Sequence, residues 1–356
     1  MKKVTLLIFL LMFVFIHLLN AKKVANLPEV MKPVSIAVDG SQLFITDSTN
    51  ESTIHIYSLQ PFTHVKTFGK PGEGPGEFMS LPHLTVYPDH LLINGMKKLQ
   101  TFSRDGAFQK EMKLPFMHFY FYYPLLSIGD RYVRLRLEPS EEEKKFIFKA
   151  DLLDKNFDLV KKFYQGGPPQ ILPPRRGAAP QKKELDVVYD YLDLAISGNR
   201  IFIADSRKGF FIAVFDHQGN MLYEINKAYS KLKIPGEFKE DFMQEQRRSP
   251  NWERLKQMFN YKFKEYFPAF FSFKIDNQKI YVTTYEKKGN NYEIVILDLE
   301  GNILKRSSSF PLHPLQRISR RFVSYSNEYD IVDDKIYYLI ENKDTEEWEL
   351  HAVEIR

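Results

Sequence analysis

Residues 68–78 read Phe-Gly-Lys-Pro-Gly-Glu-Gly-Pro-Gly-Glu-Phe, and a shorter echo, Ile-Pro-Gly-Glu-Phe, stands at 234–238. Glycine this dense, interleaved with proline, fits neither a helix nor a strand interior. Glycine opens positive φ and close backbone approach, while proline fixes φ and removes a donor. An apolar run ends just before each copy, so each is expected to mark the exit from a sheet. Gly72, Gly74, Pro75, Gly76, Glu77 and Phe78 are read as a structural junction, with Glu77 placed to accept from backbone amides. A phosphate loop is excluded, because the stretch lacks a GK[ST] ending and GxGxxG spacing, and strand follows it.

Outward from the junction, one unit recurs. Its clearest strand appears six times, at 43–47 (LFITD), 91–94 (LLIN), 132–135 (YVRL), 201–205 (IFIAD), 280–283 (IYVT) and 336–339 (IYYL). A hairpin signature, an apolar residue four before a glycine, follows at FSRDG (102–106), FDHQG (215–219) and LDLEG (297–301). Glycine there accepts the left-handed position a bulged hairpin needs. The third unit keeps a degenerate form at 150–156, with Asn156 expected in the left-handed role. Innermost strands are expected at 35–38, 84–87, 125–128, 191–196, 270–275 and 329–332. With two insertions set aside, the spacing is roughly 47 residues per unit, which suits a four-stranded propeller blade. The last unit runs out after its third strand at 349–356. Residues 24–30 are the candidate for its fourth strand, an arrangement that would leave no open edge.

Two segments break the period. The loop insertion, 165–189, is rich in proline and glycine and is expected to be irregular. The other, 239–267, reads as helical. A start at Ser249-Pro250-Asn251 places Trp252, Leu255, Phe259, Phe263 and Tyr266 on one helical face. Both insertions fall between the outer strand of one unit and the inner strand of the next. In a propeller they would therefore share a face, where recognition commonly gathers. Arg175, Arg176, Lys182, Lys183, Arg247, Arg248 and Trp252 are the expected partner-binding rim.

Composition bounds the classes. The chain has 356 residues, no cysteine, 30 Phe, 20 Tyr and a formal net charge of +5. Thiol chemistry and disulfides are excluded, and the charge is too mild and too dispersed for a nucleic-acid footprint. Lys2 and Lys3 precede an apolar run over 4–19 and then Leu19-Asn20-Ala21. Residues 1–21 read as a signal peptide, with a retained membrane anchor as the other reading. The mature chain is expected in the periplasm or outside the cell, or tethered by 4–19, with membrane contact only in that last case. Asp47-Ser48 and Asp205-Ser206 end equivalent strands. A ring of carboxylates could hold a metal, but the ring is incomplete, and Asx-type turns are the better reading. No HExxH or GxSxG motif occurs.

The 68–78 pattern, the TDS and ADS strand ends and the FxxxG hairpins resemble the bacterial six-bladed β-propeller family, NHL-repeat-like and TolB-like. The resemblance implies an all-β, six-bladed β-propeller with four-stranded blades as a single unit over 22–356, with one helical insertion between the fourth and fifth blades. It also implies an exported, non-catalytic binding or scaffold protein that uses one propeller face for a protein or a small extracellular ligand. No cofactor is expected, and the chain is expected to be a monomer. The alternative is a metal-dependent, lactonase-like hydrolase at the central channel mouth, which in such enzymes holds calcium through Glu, Asn and Asp from different blades. No catalytic or metal-ligating residue is assigned here.

Overall fold

The computed structural model describes residues 21–49, 52–79, 82–95, 97–115, 125–140, 145–166, 182–188, 190–249, 252–313 and 328–356. After β1 (Lys22–Leu27), the chain makes four-stranded antiparallel blades in succession. Blade 1 holds β2 (Pro33–Asp39), β3 (Gln42–Asp47), β4 (Thr53–Leu59) and β5 (Phe62–Phe68). Blade 2 holds β6 (His83–Val86), β7 (Leu91–Asn94), β8 (Lys98–Phe102) and β9 (Phe108–Lys113). Blade 3 holds β10 (Leu126–Ile128), β11 (Arg131–Ser140), β12 (Lys145–Leu153) and β13 (Leu159–Gly166).

A short strand, β14 (Lys183–Asp186), precedes blade 4, which holds β15 (Leu192–Ser197), β16 (Arg200–Asp205), β17 (Phe210–Asp216) and β18 (Met221–Lys227). The second insertion supplies α1 (Gly236–Arg248), α2 (Trp252–Met258) and β19 (Phe259–Lys262). Blade 5 holds β20 (Ser272–Asp276), β21 (Lys279–Lys288), β22 (Asn291–Asp298) and β23 (Ile303–Phe310). Blade 6 holds β24 (Tyr329–Val332), β25 (Lys335–Asn342) and β26 (Glu347–Glu354), and β1 completes it by pairing antiparallel with β26. The six-bladed expectation is borne out, and all six anchor strands lie where the repeat placed them.

Strand composition explains the packing. Alternate apolar residues on the middle strands face the two neighbouring blades, so the core divides into a cluster at each blade-to-blade seam. Phe44, Ile54, Phe68, Phe78, Ile93 and Phe102 fill the seam of blades 1 and 2. Leu27, Val38, Leu43, Tyr57, Trp348 and Leu350 fill the closing seam of blades 6 and 1. Hairpin glycines sit tight in these seams. Gly301 has φ +91, and a Cβ there would lie 2.7 Å from Ile225 of β18. In blade 3 the left-handed residue is Phe157 (φ 67), not Asn156. The turn begins at Asp154, whose carboxylate accepts the Asn156 and Asp158 amides, which shifts the left-handed position one residue on.

The insertions depart most from expectation. The 234–238 echo is not a loop junction. Its glycine opens α1 after Pro235, which suits a residue with no amide hydrogen to donate. The expected single helical face over 252–266 is also broken. α2 ends at Met258, and the next four residues form β19, which pairs in parallel with β14, Lys183 opposite Phe259 and Asp186 opposite Lys262. The loop insertion is therefore not irregular throughout: its end is tied to the other insertion. Phe238 and Phe242 of α1, with Val187 and Val188, join the blade 5–6 core.

Two predictions follow from these seams. Gly301→Ala forces both a left-handed alanine and the Ile225 contact, and should cost about 2–4 kcal/mol of unfolding free energy. Gly40→Ala, at φ +58 with open space around it, should cost only about 1–2 kcal/mol. Equal losses in urea titrations would contradict the seam argument. At the closure, Glu349 accepts from Lys23, Asn342 and His351, and these bonds hold its carboxyl down at about 2. Its stabilisation is present above the ordinary value of 4.5 and is lost as pH falls toward 2. Over that window, Glu349→Gln should lose less stability with acidification than the unsubstituted chain.

Candidate binding cleft

Because blade strands alternate in direction, the first-to-second and third-to-fourth turns emerge on one face. The second-to-third turns and the blade-to-blade connections emerge on the other. Both insertions are blade-to-blade connections, so they share the second face with the junction at 68–78, the turn at Ser206–Lys208 and the β21–β22 hairpin.

The junction is fastened to blade 2. Lys98 Nζ donates to the carbonyls of Glu73 (3.0 Å) and Gly74 (2.6 Å) and to Glu111. Gln100 accepts the Gly76 amide and donates to the Glu77 carbonyl, each at 2.9 Å. The Glu77 carboxylate accepts the Gly74 amide, and Phe78 is buried. These bonds hold the loop's own shape and fasten it to blade 2.

The aspartates at the strand ends behave as turn residues. Burial alone would raise the Asp47 carboxyl, but hydrogen bonds from Thr49, Met31 and Lys32 hold it below the usual carboxylate range. Asp205 accepts the Arg207 amide and the Tyr164 hydroxyl and pairs with the Arg207 guanidinium. Among the described residues no group of three or more His, Cys, Asp or Glu side chains comes together as a metal site.

Arg175 and Arg176 lie outside the described residues. Lys182 is exposed, Lys183 opens β14, and Arg247 and Arg248 are exposed at the end of α1. Trp252 opens α2 with its ring stacked on Tyr261, 6.2 Å between centroids. The β14–β19 pairing joins the two insertions through backbone.

Beside them, between blades 4 and 5, is a cleft of about 480 Å³ that the sequence reading missed. Its walls are the 228–232 exit from β18 and the 284–288 end of β21, with Glu293, Arg306 and Ser308 on the blade side. The register of β21 against β22 shifts between Thr283 and Lys287, and pairing resumes at Lys287 opposite Tyr292 and Lys288 opposite Asn291. Glu293 accepts from Thr284 Oγ1 and from Arg306, each at 3.0 Å. Arg306 is about half exposed (48 %), and its other guanidinium N–H groups make no hydrogen bond among the described residues. Tyr285 is stacked on Phe267 at 4.2 Å, which anchors this wall to the insertion. On the opposite wall the exposed Tyr229 ring lies over Gly209, where φ is +90 and a Cβ would come within 3.0 Å of Tyr229 Cε1. Gly209 also ends the Asp205–Lys208 turn, so the ADS strand end positions the tyrosine. A second cleft of about 270 Å³ adjoins and shares Leu232, Tyr285, Glu286 and Lys287.

If Tyr229 is held by that bare Cα, Gly209→Ala should destabilise the fold by about 1–3 kcal/mol. In a Tyr229→Ala background the same change should cost less, with a coupling of about 0.5–1 kcal/mol in the double-mutant cycle. Strict additivity would show that the ring does not depend on the glycine.

Residues 18–162, from the start of the ring into β13, match the model of a family described as TolB-like 6-blade propeller-like. No curated protein sequence matches the chain. Among solved structures, the β-propeller domain of Myceliophteria thermophila Cps50 (Swd1) is 9% identical, with 94% of this chain and 100% of that one covered at a TM-score of 0.40. The Neurospora crassa Pan2 WD40 domain is 9% identical, with 94% and 96% covered at 0.40. Kuenenia stuttgartiensis hydrazine synthase is 11% identical, with 89% and 79% covered at 0.39. The chain is a six-bladed β-propeller, and over its first blades it carries the sequence pattern of the TolB-like six-blade propellers.

Proposed function

We propose that this protein is an exported binding propeller that recognises its ligand on the insertion-bearing face, without chemistry of its own. One observation carries the reading. The two insertions are paired to each other through β14 and β19 and packed onto blade 5 by Phe238, Phe242 and Phe267, and open clefts lie directly against them. Elaboration confined to one face of a repeat ring, with concave surface beside it, is the usual layout of a recognition surface. Propellers commonly serve as interaction scaffolds. Export is inferred from residues 1–21, whose basic start, apolar run and Leu-Asn-Ala ending suit a cleaved signal.

Two measurements test this. Intact mass of the protein from the envelope fraction should correspond to a chain beginning at Lys22; a retained N-terminus would make it a tethered module. Hydrogen–deuterium exchange of the purified chain, with and without soluble envelope extract, should show protection at 228–232 and 284–288. Protection only in the turns of the opposite face, or none at all, would overturn the assignment.

A further inference from the structure

We infer that the cleft between blades 4 and 5 takes an acidic sugar, a uronate residue or its short oligomer. This rests on the reading of the insertion-bearing face as the recognition surface and adds the ligand's chemistry.

The first argument is the mixture of charges in the lining. Lys287, Lys288 and Arg306 supply three cations, and Glu286 and Glu293 two carboxylates. Glu293 is already engaged by Arg306 and Thr284, so the outstanding charge of the cleft is positive. On the connection from blade 4, Lys231 is exposed and Lys233 pairs with Glu265. The opposite face is of the other sign: its turns carry Asp39, Asp105, Asp154, Asp216, Asp298 and Asp333, several of them capping backbone amides. An anion is therefore drawn to the cleft side.

The second argument separates a sugar acid from other anions. A phosphate or a purely acidic peptide gains nothing from carboxylates in its site and is repelled by them. A polyol uses a free carboxylate, because the exposed Glu286 accepts from hydroxyl groups while Ser230 and Ser308 offer further partners of the right size. Arg306 is the group for the acid function. One amino group rests on Glu293, which fixes the plane of the guanidinium, and the remaining donors form a fork that matches a carboxylate.

The third argument is shape. The exposed Tyr229 ring, held over Gly209, offers a flat apolar platform of the kind on which the C–H face of a pyranose rests. The volume of about 480 Å³ falls in the range of small-molecule sites. The aromatic side chains at the cleft's inner end, Phe210 and Tyr285, are buried and so offer no open aromatic well.

The test is calorimetric titration of the mature chain with digalacturonate, the neutral digalactoside as control, and long polygalacturonate. Saturable binding of the acidic disaccharide, at least about tenfold tighter than the neutral one and weakened as salt is raised, is the expected result. Arg306→Ala should weaken it about tenfold or more, Arg306→Lys should fall between, and Lys288→Ser should weaken it about two- to fivefold. Lys288 is an exposed hairpin residue with no ion pair among the described residues, so its variant keeps the fold and guards against a false loss. Tighter binding of the polymer with the same Arg306 dependence assigns the sugar to a chain rather than a free oligosaccharide. Equal binding of acidic and neutral sugars, or acidic binding indifferent to Arg306 and Lys288, overturns the inference. So does Arg306-dependent binding of poly-glutamate with none of uronate. If envelope extract protects 228–232 and 284–288 while no uronate binds, the face is right and the ligand class is wrong.

Discussion

The ring depends on the pairing of Lys22–Leu27 with β26. Without it blade 6 has three strands and an open edge, and the seam that buries Leu27, Trp348 and Leu350 loses one wall. The pairing joins strands more than 300 residues apart in sequence, the longest loop closure in the chain. Local bonds reinforce it. The Asp47 carboxylate holds the Met31 and Lys32 amides where β1 turns into blade 1, the Trp348 indole donates to the Met31 carbonyl, and Tyr57 donates to Glu29. The aspartate that might have been a metal ligand is thus part of the clasp.

Once the ring is closed, its two faces diverge for a topological reason. First-to-second and third-to-fourth turns are short, many of them with a left-handed glycine, because each reverses the chain within one blade. Blade-to-blade connections have to cross a seam and can lengthen without disturbing either sheet. Insertion is therefore tolerated on one face, and both insertions are found there. Their mutual pairing converts two long excursions into one body. Phe242 packs edge-on against Tyr261 and Phe263, and Phe267 stacks on Tyr285, so this body is continuous with the β21–β22 hairpin that forms the cleft wall.

Much of this was legible in the amino-acid sequence. The six Ile- and Tyr-rich anchor strands, the glycine hairpins and the donated first strand each carry a local signal, either period-two apolar alternation or a left-handed glycine. What escaped reading has a physical cause in each case. Residues 183–186, Lys-Glu-Leu-Asp, show no strand alternation, and their partner strand lies more than 70 residues away. Trp252, Leu255, Phe259 and Phe263 match a helical period so well that a four-residue strand inside the run cannot be told from it. Phe157 took the left-handed position expected of Asn156 because Asp154 caps the turn and the Phe157 ring gains the seam beside Tyr132, 4.9 Å between centroids. The cleft itself is assembled from blade 4, an insertion and three strands of blade 5, so no single motif announces it.

The packing also supports the proposed placement of recognition between blades 4 and 5 rather than on the axis. At the axis, the Asp330 carboxylate accepts the Val38 amide from blade 1 and lies 3.6 Å from Lys274 of blade 5, so three inner strands are tied through one group. Asp193 is engaged by the Tyr191 hydroxyl and the Leu194 amide. Asp330 is committed to holding inner strands together and Asp193 to its own strand, and recruiting Asp330 to a ligand would loosen the ring. The Arg306–Glu293 pair stands on outer and middle strands of a single blade, where binding can engage its unspent donors without touching a seam. A propeller held shut by its inner polar groups keeps its unspent polar groups at the rim, and in this chain such groups line the cleft between blades 4 and 5 beside the second insertion.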